Sequence, residues 1–251
     1  MRIATREELA KIFHWDPAAA LVISGVGEDD PIERYWDHRQ AARLAKQLAE
    51  LKPALITAPN YSLFLNVPRE HNMYNMKRIA ICWDDFVAEG VPASLHVNAQ
   101  TDRDWERWTE FVVQRNEVRS IAYEFATGAA CLDRGNWHVE KLIKLATDVG
   151  RDLQIVVRGG YHIIPRISEH FRNVVFLDTT SYLKTTKRKR LNWISGDKKS
   201  WRSARMEKIE LLDDLLEENV ETYRQMTLAR WRLGTDQPYR NGERTPLSWN
   251  V

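Results

Sequence analysis

The sequence predicts an α/β fold of TIM-barrel-like (β/α) repeats, an incomplete or distorted barrel with a C-terminal helical extension. Short apolar runs at 20–24, 54–57, 93–97, 120–125, 153–157 and 174–177 recur about every 30–40 residues, the length of a βα unit. Each run stops at a polar cluster that opens an amphipathic stretch, and strands alternating with helices imply a parallel sheet. Six repeats fall short of the eight that close a barrel, so two weak units are hidden, the barrel is partial, or the sheet is open. Right-handed crossovers put every strand's carboxyl end on one side, where such folds build their sites.

The elements follow in order. A helix-like segment at 6–13 opens the chain, which is also the start expected of a truncated longer barrel. After the first run, Asp30 reads as an N-cap, Pro31 as the first helical position and Glu33 as its capping-box partner. Ala41, Leu44, Ala45, Leu48 and Leu51 then repeat at helical spacing until Pro53 stops the helix. A second helix is expected over 70–89, ending at Gly90. Thr101 caps a third, with Asp102 and Asp104 in its first turn. Asn136 caps a fourth that ends at Gly150, and a shorter one follows Gly160 to about His170. Ile209, Leu212, Leu216, Val220 and Tyr223 predict a long amphipathic helix over 203–230, and 234–251 reads as an irregular tail. Residues 1–180 are therefore the barrel-like domain. Residues 181–251 are a basic segment, a helix and a tail packing on it.

Composition excludes several classes. No run of about 18 apolar residues is present, so no membrane span is expected. The first residues mix acids and bases without an apolar core, unlike a secretory signal. Cys82 and Cys131, without CxxC spacing, make neither a zinc site nor a disulfide framework. They read as buried thiols in a reducing compartment, hence a cytoplasmic protein.

The candidate site residues stand where the strands end. Asn60, Tyr61 and Ser62 open a loop too long for a minimal βα turn, which is a binding loop or a packed cap on the barrel mouth. His96 and Asn98 share a strand face by period-two alternation. His96 is a candidate general base or metal ligand, and the alternative is a hydrogen-bonded structural pair. Glu124, an acid inside an apolar strand, needs a partner; it is a general acid or base, or the ion-pair partner of Arg158. Arg158, Gly159 and Gly160 offer a guanidinium and close backbone approach to an anion, or simply a turn. Asp178 is a nucleophile or base, or a helix cap. With Glu124 it could form the carboxylate pair used on glycosidic bonds. No HxH, HExxH, Walker A or GxGxxG spacing is present, so no metal or cofactor is expected.

Charge is uneven along the chain. Residues 181–208 hold ten Lys/Arg and two acids, a net +8, including Lys184, Lys187, Arg188, Lys189 and Arg190. Interleaved with Trp193 and Trp201, they invite nucleic acid through phosphate neutralisation and base stacking. The bland alternative is a solvated loop that offsets the acidic helix following it. Trp105 and Trp108 stand at helical spacing and read as core.

The stretch Pro59-Asn60-Tyr61-Ser62-Leu63-Phe64, with Val67-Pro68, Asn75, Lys77-Arg78 and Gly90, resembles DUF4417, a family of uncharacterised bacterial and phage proteins. The resemblance covers about residues 55–98 and differs at Asn60, where the family carries Asp. It implies a TIM-barrel-like fold and a joint role for Asn60, Ser62, Asn75 and Arg78. It implies no activity.

These readings converge on an enzyme acting on a phosphate-bearing substrate, a nucleotide or nucleic acid. The expected chemistry is a hydrolase or base-exchange transferase working at a glycosidic bond. The rival is a non-catalytic module that binds nucleic acid or protein through 184–205, and the C-terminal helix could also mediate a homo-oligomer.

Overall fold

The computed structural model describes residues 4–126, 132–195, 198–204 and 211–235. Six strands, β1 (Val22–Ile23), β2 (Leu55–Thr57), β3 (Ala93–His96), β4 (Ser120–Glu124), β5 (Gln154–Arg158) and β6 (Asn173–Leu177), form one parallel sheet in sequential order. The sheet curls into a half-barrel and does not close. All six apolar runs are strands, because a parallel strand covered on both faces must be apolar nearly throughout.

The register sorts side chains into two faces. Ile56 lies towards the helices with Leu95, Ile121, Ile155 and Val157, which join Trp83, Trp105, Trp108 and Leu142 in the core. The opposite face carries Leu55, Ala122 and Val156, with Val175 and Leu177 beside them. It also carries a polar ladder: Ser94 and Ser120 share a hydroxyl contact at 2.6 Å, and Gln154 donates to Ser120 at 3.2 Å. Towards the carboxyl ends this face becomes His96, Glu124 and Arg158.

The helices are α1 (Arg6–Phe13), α2 (Asp29–His38), α3 (Leu44–Glu50), α4 (Arg69–Ala88), α5 (Asp102–Gln114) and α6 (Leu132–Val149). A 3-10 turn (Tyr161–Ile163) leads into α7 (Ile164–Ser168). The anticipated 30–51 helix is two helices. Arg43 adopts φ 48°, Leu44 N–H bonds Arg39 rather than the residue four back, and Gln47 covers the Ala42 carbonyl. Glu28, not Asp30, is the N-cap, and Glu33 pairs with Arg78 instead of closing a capping box. Asn136 lies inside α6 rather than capping it. Thr101 caps α5 as expected, with Asp104 completing the box.

After β6 come α8 (Thr180–Thr186), an antiparallel hairpin of β7 (Lys189–Ser195) and β8 (Lys198–Ser203), and α9 (Leu211–Thr235). The hairpin was not anticipated. Its inner face, Leu191, Trp193 and Trp201, packs on Tyr223 and Met226 of α9 and on Tyr161 and Phe176 of the barrel segment. Asn219 of α9 is fully buried and ties the pieces together. Its amide donates to Thr185 Oγ1 and the Lys189 carbonyl and accepts from Leu191 N–H. The expected tail and Cys131 lie outside the described residues. Among the described residues no helix is long and apolar enough to cross a membrane.

Candidate active site

A cavity of about 310 Å³ opens at the carboxyl ends of β2, β3 and β4. Asn60, Ser62, Leu63 and Phe64 line it from the loop after β2, and His96, Asn98 and Gln100 from β3 and its extension. Tyr123 and Glu124 enter from β4, and His138 from α6. Five of the anticipated site residues, Asn60, Ser62, His96, Asn98 and Glu124, thus meet in one place.

The loop is held rigidly by one face of α4. Asn72 donates to the Phe64 carbonyl at 2.7 Å and accepts its N–H at 3.0 Å. Asn75 donates to the Ser62 carbonyl at 2.6 Å. Arg78 donates to Asn75 Oδ1 at 2.7 Å, forks onto Glu33 and lies 3.9 Å over the Tyr61 ring. Three residues at i, i+3 and i+6 of one helix face therefore clamp the loop. Asn75 and Arg78 thus hold the loop at Ser62, whereas Asn60 is bonded by Asn98. Asn72 was missed, although its helical spacing to Asn75 and Arg78 was visible.

Tyr61 does not face the cavity. It is 2% exposed beneath Arg78, with its hydroxyl near the Ile32 carbonyl and Cys82 Sγ. Burial raises the Tyr61 hydroxyl pKa and pushes the Cys82 thiol up to about 12, so both stay protonated.

The amides are oriented by their neighbours. Asn98 Nδ2 donates to Asn60 Oδ1 at 2.9 Å and to the Tyr61 carbonyl at 3.1 Å. Trp108 Nε1 anchors the Asn98 carbonyl at 2.8 Å. Gln100 Oε1 accepts from Arg134 at 2.8 Å. Gln100 and His138 were also missed. Gln100 continues the His96, Asn98 alternation by one step, which the sequence did offer. His138 had no signal, since its approach depends on how α6 packs.

Both histidines are 2% exposed, and Nδ1 of each has no protein partner. Burial lowers the pKa of each to about 3, assisted at His138 by Arg134, so both imidazoles are neutral. His138 is wedged among Trp137, Tyr123 and Trp105, with ring centroids 4.6, 5.1 and 5.9 Å away.

Glu124 is the carboxylate of the cavity. It accepts Ala126 N–H at 2.9 Å on Oε1 and Arg158 at 2.9 Å on Oε2. The ion pair with Arg158 therefore forms, between adjacent strands at matched register. Arg158 also reaches towards Thr179 Oγ1 at 3.5 Å and does not line the cavity.

One expectation is corrected here, and two others gain a structural reading. Asp178 is separate from Glu124: its Oδ2 accepts the N–H groups of Thr180 and Ser181, capping α8. It lines a different, mainly apolar cavity of about 350 Å³ against α9. The two carboxylates do not face one space. Gly159 and Gly160 are required by packing. A Cβ on Gly159 would lie 2.7 Å from Ala126 N, and one on Gly160 2.9 Å from Phe125 Cβ, so both glycines serve close packing. Trp193 and Trp201 are half-buried, packed against Leu191, Tyr223 and Met226.

The basic residues lie along the end of α8 and the start of the hairpin. Lys187 and Arg188 are exposed. Lys184 lies over the Trp201 ring at 6.0 Å, Lys189 donates to Ser203, and Arg190 pairs with Glu218 at 3.0 Å. Among the described residues no group of three or more metal-ligating side chains converges.

No protein-family model matches the chain, and no curated protein matches it significantly.

Proposed function

We propose that the chain is an acid–base enzyme acting on a nucleoside or nucleotide at the mouth of its half-barrel, with Glu124 as the proton-transfer group. The observation that carries this reading is a single carboxylate, oriented by Ala126 N–H and Arg158, in a cavity whose other lining is neutral. In hydrolysis of an N-glycosidic bond, Glu124 takes a proton from water as the water oxygen bonds to the sugar's anomeric carbon. The bond to the base breaks with its electron pair on the base nitrogen, which then receives that proton. In exchange, an incoming base replaces the water. The second carboxylate of a glycosidase pair would have to come from elsewhere. Arg158, half-buried beside Glu124, is the group nearest to hand for a substrate phosphate outside the cavity.

The test is Glu124→Gln, which keeps shape and removes the base. Release of free base from a panel of ribonucleosides and their 5′-monophosphates, followed by chromatography, should fall by roughly 10²–10⁴-fold. A folded, fully active variant would remove Glu124 from the chemistry.

A second reading is favoured by the exposure of Lys187 and Arg188 together with the facing of Arg190 and Arg202 across the hairpin. Like charges at opposed positions repel, and a polyanion would relieve them. In that reading the hairpin surface binds nucleic acid.

A further inference from the structure

Taking the nucleoside-class reading as its basis, we infer that the cavity recognises the base itself, through a fixed array of neutral donors and acceptors from Asn60, Asn98, Gln100, His96 and His138. The array is set by which amide atoms the protein already uses. Asn98 spends its Nδ2 on Asn60 Oδ1 and the Tyr61 carbonyl, which leaves Asn98 Oδ1 as an acceptor and Asn60 Nδ2 as a donor. Arg134 occupies Gln100 Oε1, which leaves Gln100 Nε2 as a second donor. These polarities cannot be exchanged by rotating an amide without losing the bonds that hold it.

The imidazoles complete the array. His96 and His138 line the same cavity as neutral rings, and the Nδ1 of each is buried without a protein partner. A buried polar atom without a partner is costly, and a ligand that bonded it would recover that cost. Among the described lining residues there is no lysine or arginine, so the cavity offers no counter-charge to phosphate. Its volume, at the lower end for ligand pockets, suits one ring system rather than a polymer. Phe64, half-exposed at the rim, and Tyr123 supply flat apolar surface. Amides reading a base edge beside aromatic faces are how a base removed from its stack is held.

The arrangement permits a clean experiment. Asn60→Asp and Gln100→Glu each keep the oxygen that accepts from Asn98 or Arg134, and each replaces the cavity-facing donor by a negatively charged acceptor. Binding of adenine, hypoxanthine, cytosine, uracil, ribose 5-phosphate and inorganic phosphate to the full chain is measured by calorimetry, with circular dichroism confirming that each variant is folded. At least one free base is expected to bind the wild type, and ribose 5-phosphate and phosphate are not. Each variant should weaken that base about tenfold or more, or change which base is preferred. Equal base affinity in the wild type and both folded variants overturns the base-reading array and leaves the role of Glu124 standing. Binding of ribose 5-phosphate but of no base overturns it too, placing the sugar in the cavity. If no base, sugar phosphate, nucleoside or nucleotide binds, the proposed function falls with it.

Discussion

Replacing Asp104 by Asn or Ala should destabilise the protein and loosen the site, and the structure sets the size of both effects. Asp104 is fully buried at the first turn of α5. Its Oδ2 accepts Gln100 N–H at 3.0 Å, Thr101 N–H at 2.9 Å and Thr101 Oγ1 at 2.9 Å, and its Oδ1 pairs with Arg69. Removing one partner of a buried pair costs about 3–5 kcal/mol. Arg69 is one-third exposed and can be rehydrated, which places Asp104→Ala at about 3 kcal/mol, cap included. For a chain of this size that lowers the melting temperature by roughly 6–12 °C. The pH dependence has a definite sign. Burial pushes the Asp104 carboxyl up, but the bonds from Arg69, Gln100 and Thr101 outweigh it and hold the pKa below the ordinary 3.8. The unfolded chain therefore takes up the proton first as pH falls. The stabilisation is complete above the ordinary carboxylate range and is lost as pH drops through the folded value. Thermal or urea unfolding of wild type and variant at pH 7 and pH 3 tests this. The gap should be largest at pH 7 and should shrink at pH 3. A variant as stable as wild type at pH 7, or a gap unchanged between the two, refutes the reasoning. Because Gln100 lines the cavity, base affinity should fall as well.

Arg78→Lys keeps the charge but loses the fork onto Glu33, the bond to Asn75 and the planar contact with Tyr61. A loss of about 2 kcal/mol in urea unfolding is expected, and a loss below about 0.5 kcal/mol would contradict the clamp. Gly159→Ala should cost about 2 kcal/mol or more, since φ is +74° and the new Cβ meets Ala126 backbone. Gly150→Ala, at φ +64° with nothing within 4 Å, should cost about 1 kcal/mol; equal costs at the two positions would show that packing at Gly159 is unimportant. If the hairpin surface binds nucleic acid, replacing Lys187, Arg188, Lys189 and Arg190 by Ala should lower the log–log salt slope for a single-stranded oligonucleotide. Two of the four already have protein partners, so the drop should be about 1–2 rather than that of four free cations. An unchanged slope would remove the basic surface from binding.

The strands were legible because the face towards the helices is apolar throughout and the polar residues of the other face are few and cluster at the strand ends. The Thr101 cap was legible because capping is a local transaction over three residues. The hairpin was not. Its period-two pattern, Leu191, Trp193 and then Lys199, Trp201, is written in a segment so charged that it resembles a solvated loop. What makes it a hairpin is Tyr223 and Met226 on α9, supplied from some thirty residues away. The break at Arg43 was equally hidden, because Ala41, Leu44 and Leu48 keep helical spacing across it while the backbone does not.

The error over Asp178 follows from the same limit. An acid at a strand's end has two uses that sequence cannot separate, reaction and capping, and the choice depends on what the next residues do. After β4 the chain turns into Ala126, whose N–H takes Oε1 of Glu124, and Arg158 on β5 takes Oε2, so the carboxylate remains at the cavity. After β6 the chain enters α8 at once, and its first free N–H groups claim Asp178. Two similar acids two strands apart are thus divided by the length of the turn that follows each. The same logic explains why no cation faces Glu124 from among the described lining residues. Arg158 bonds Glu124 and Arg134 bonds Gln100, so each guanidinium is tied to a lining side chain and neither lines the cavity itself. If a base enters, the groups left to select it are amides and uncharged imidazoles, which discriminate by direction rather than by charge.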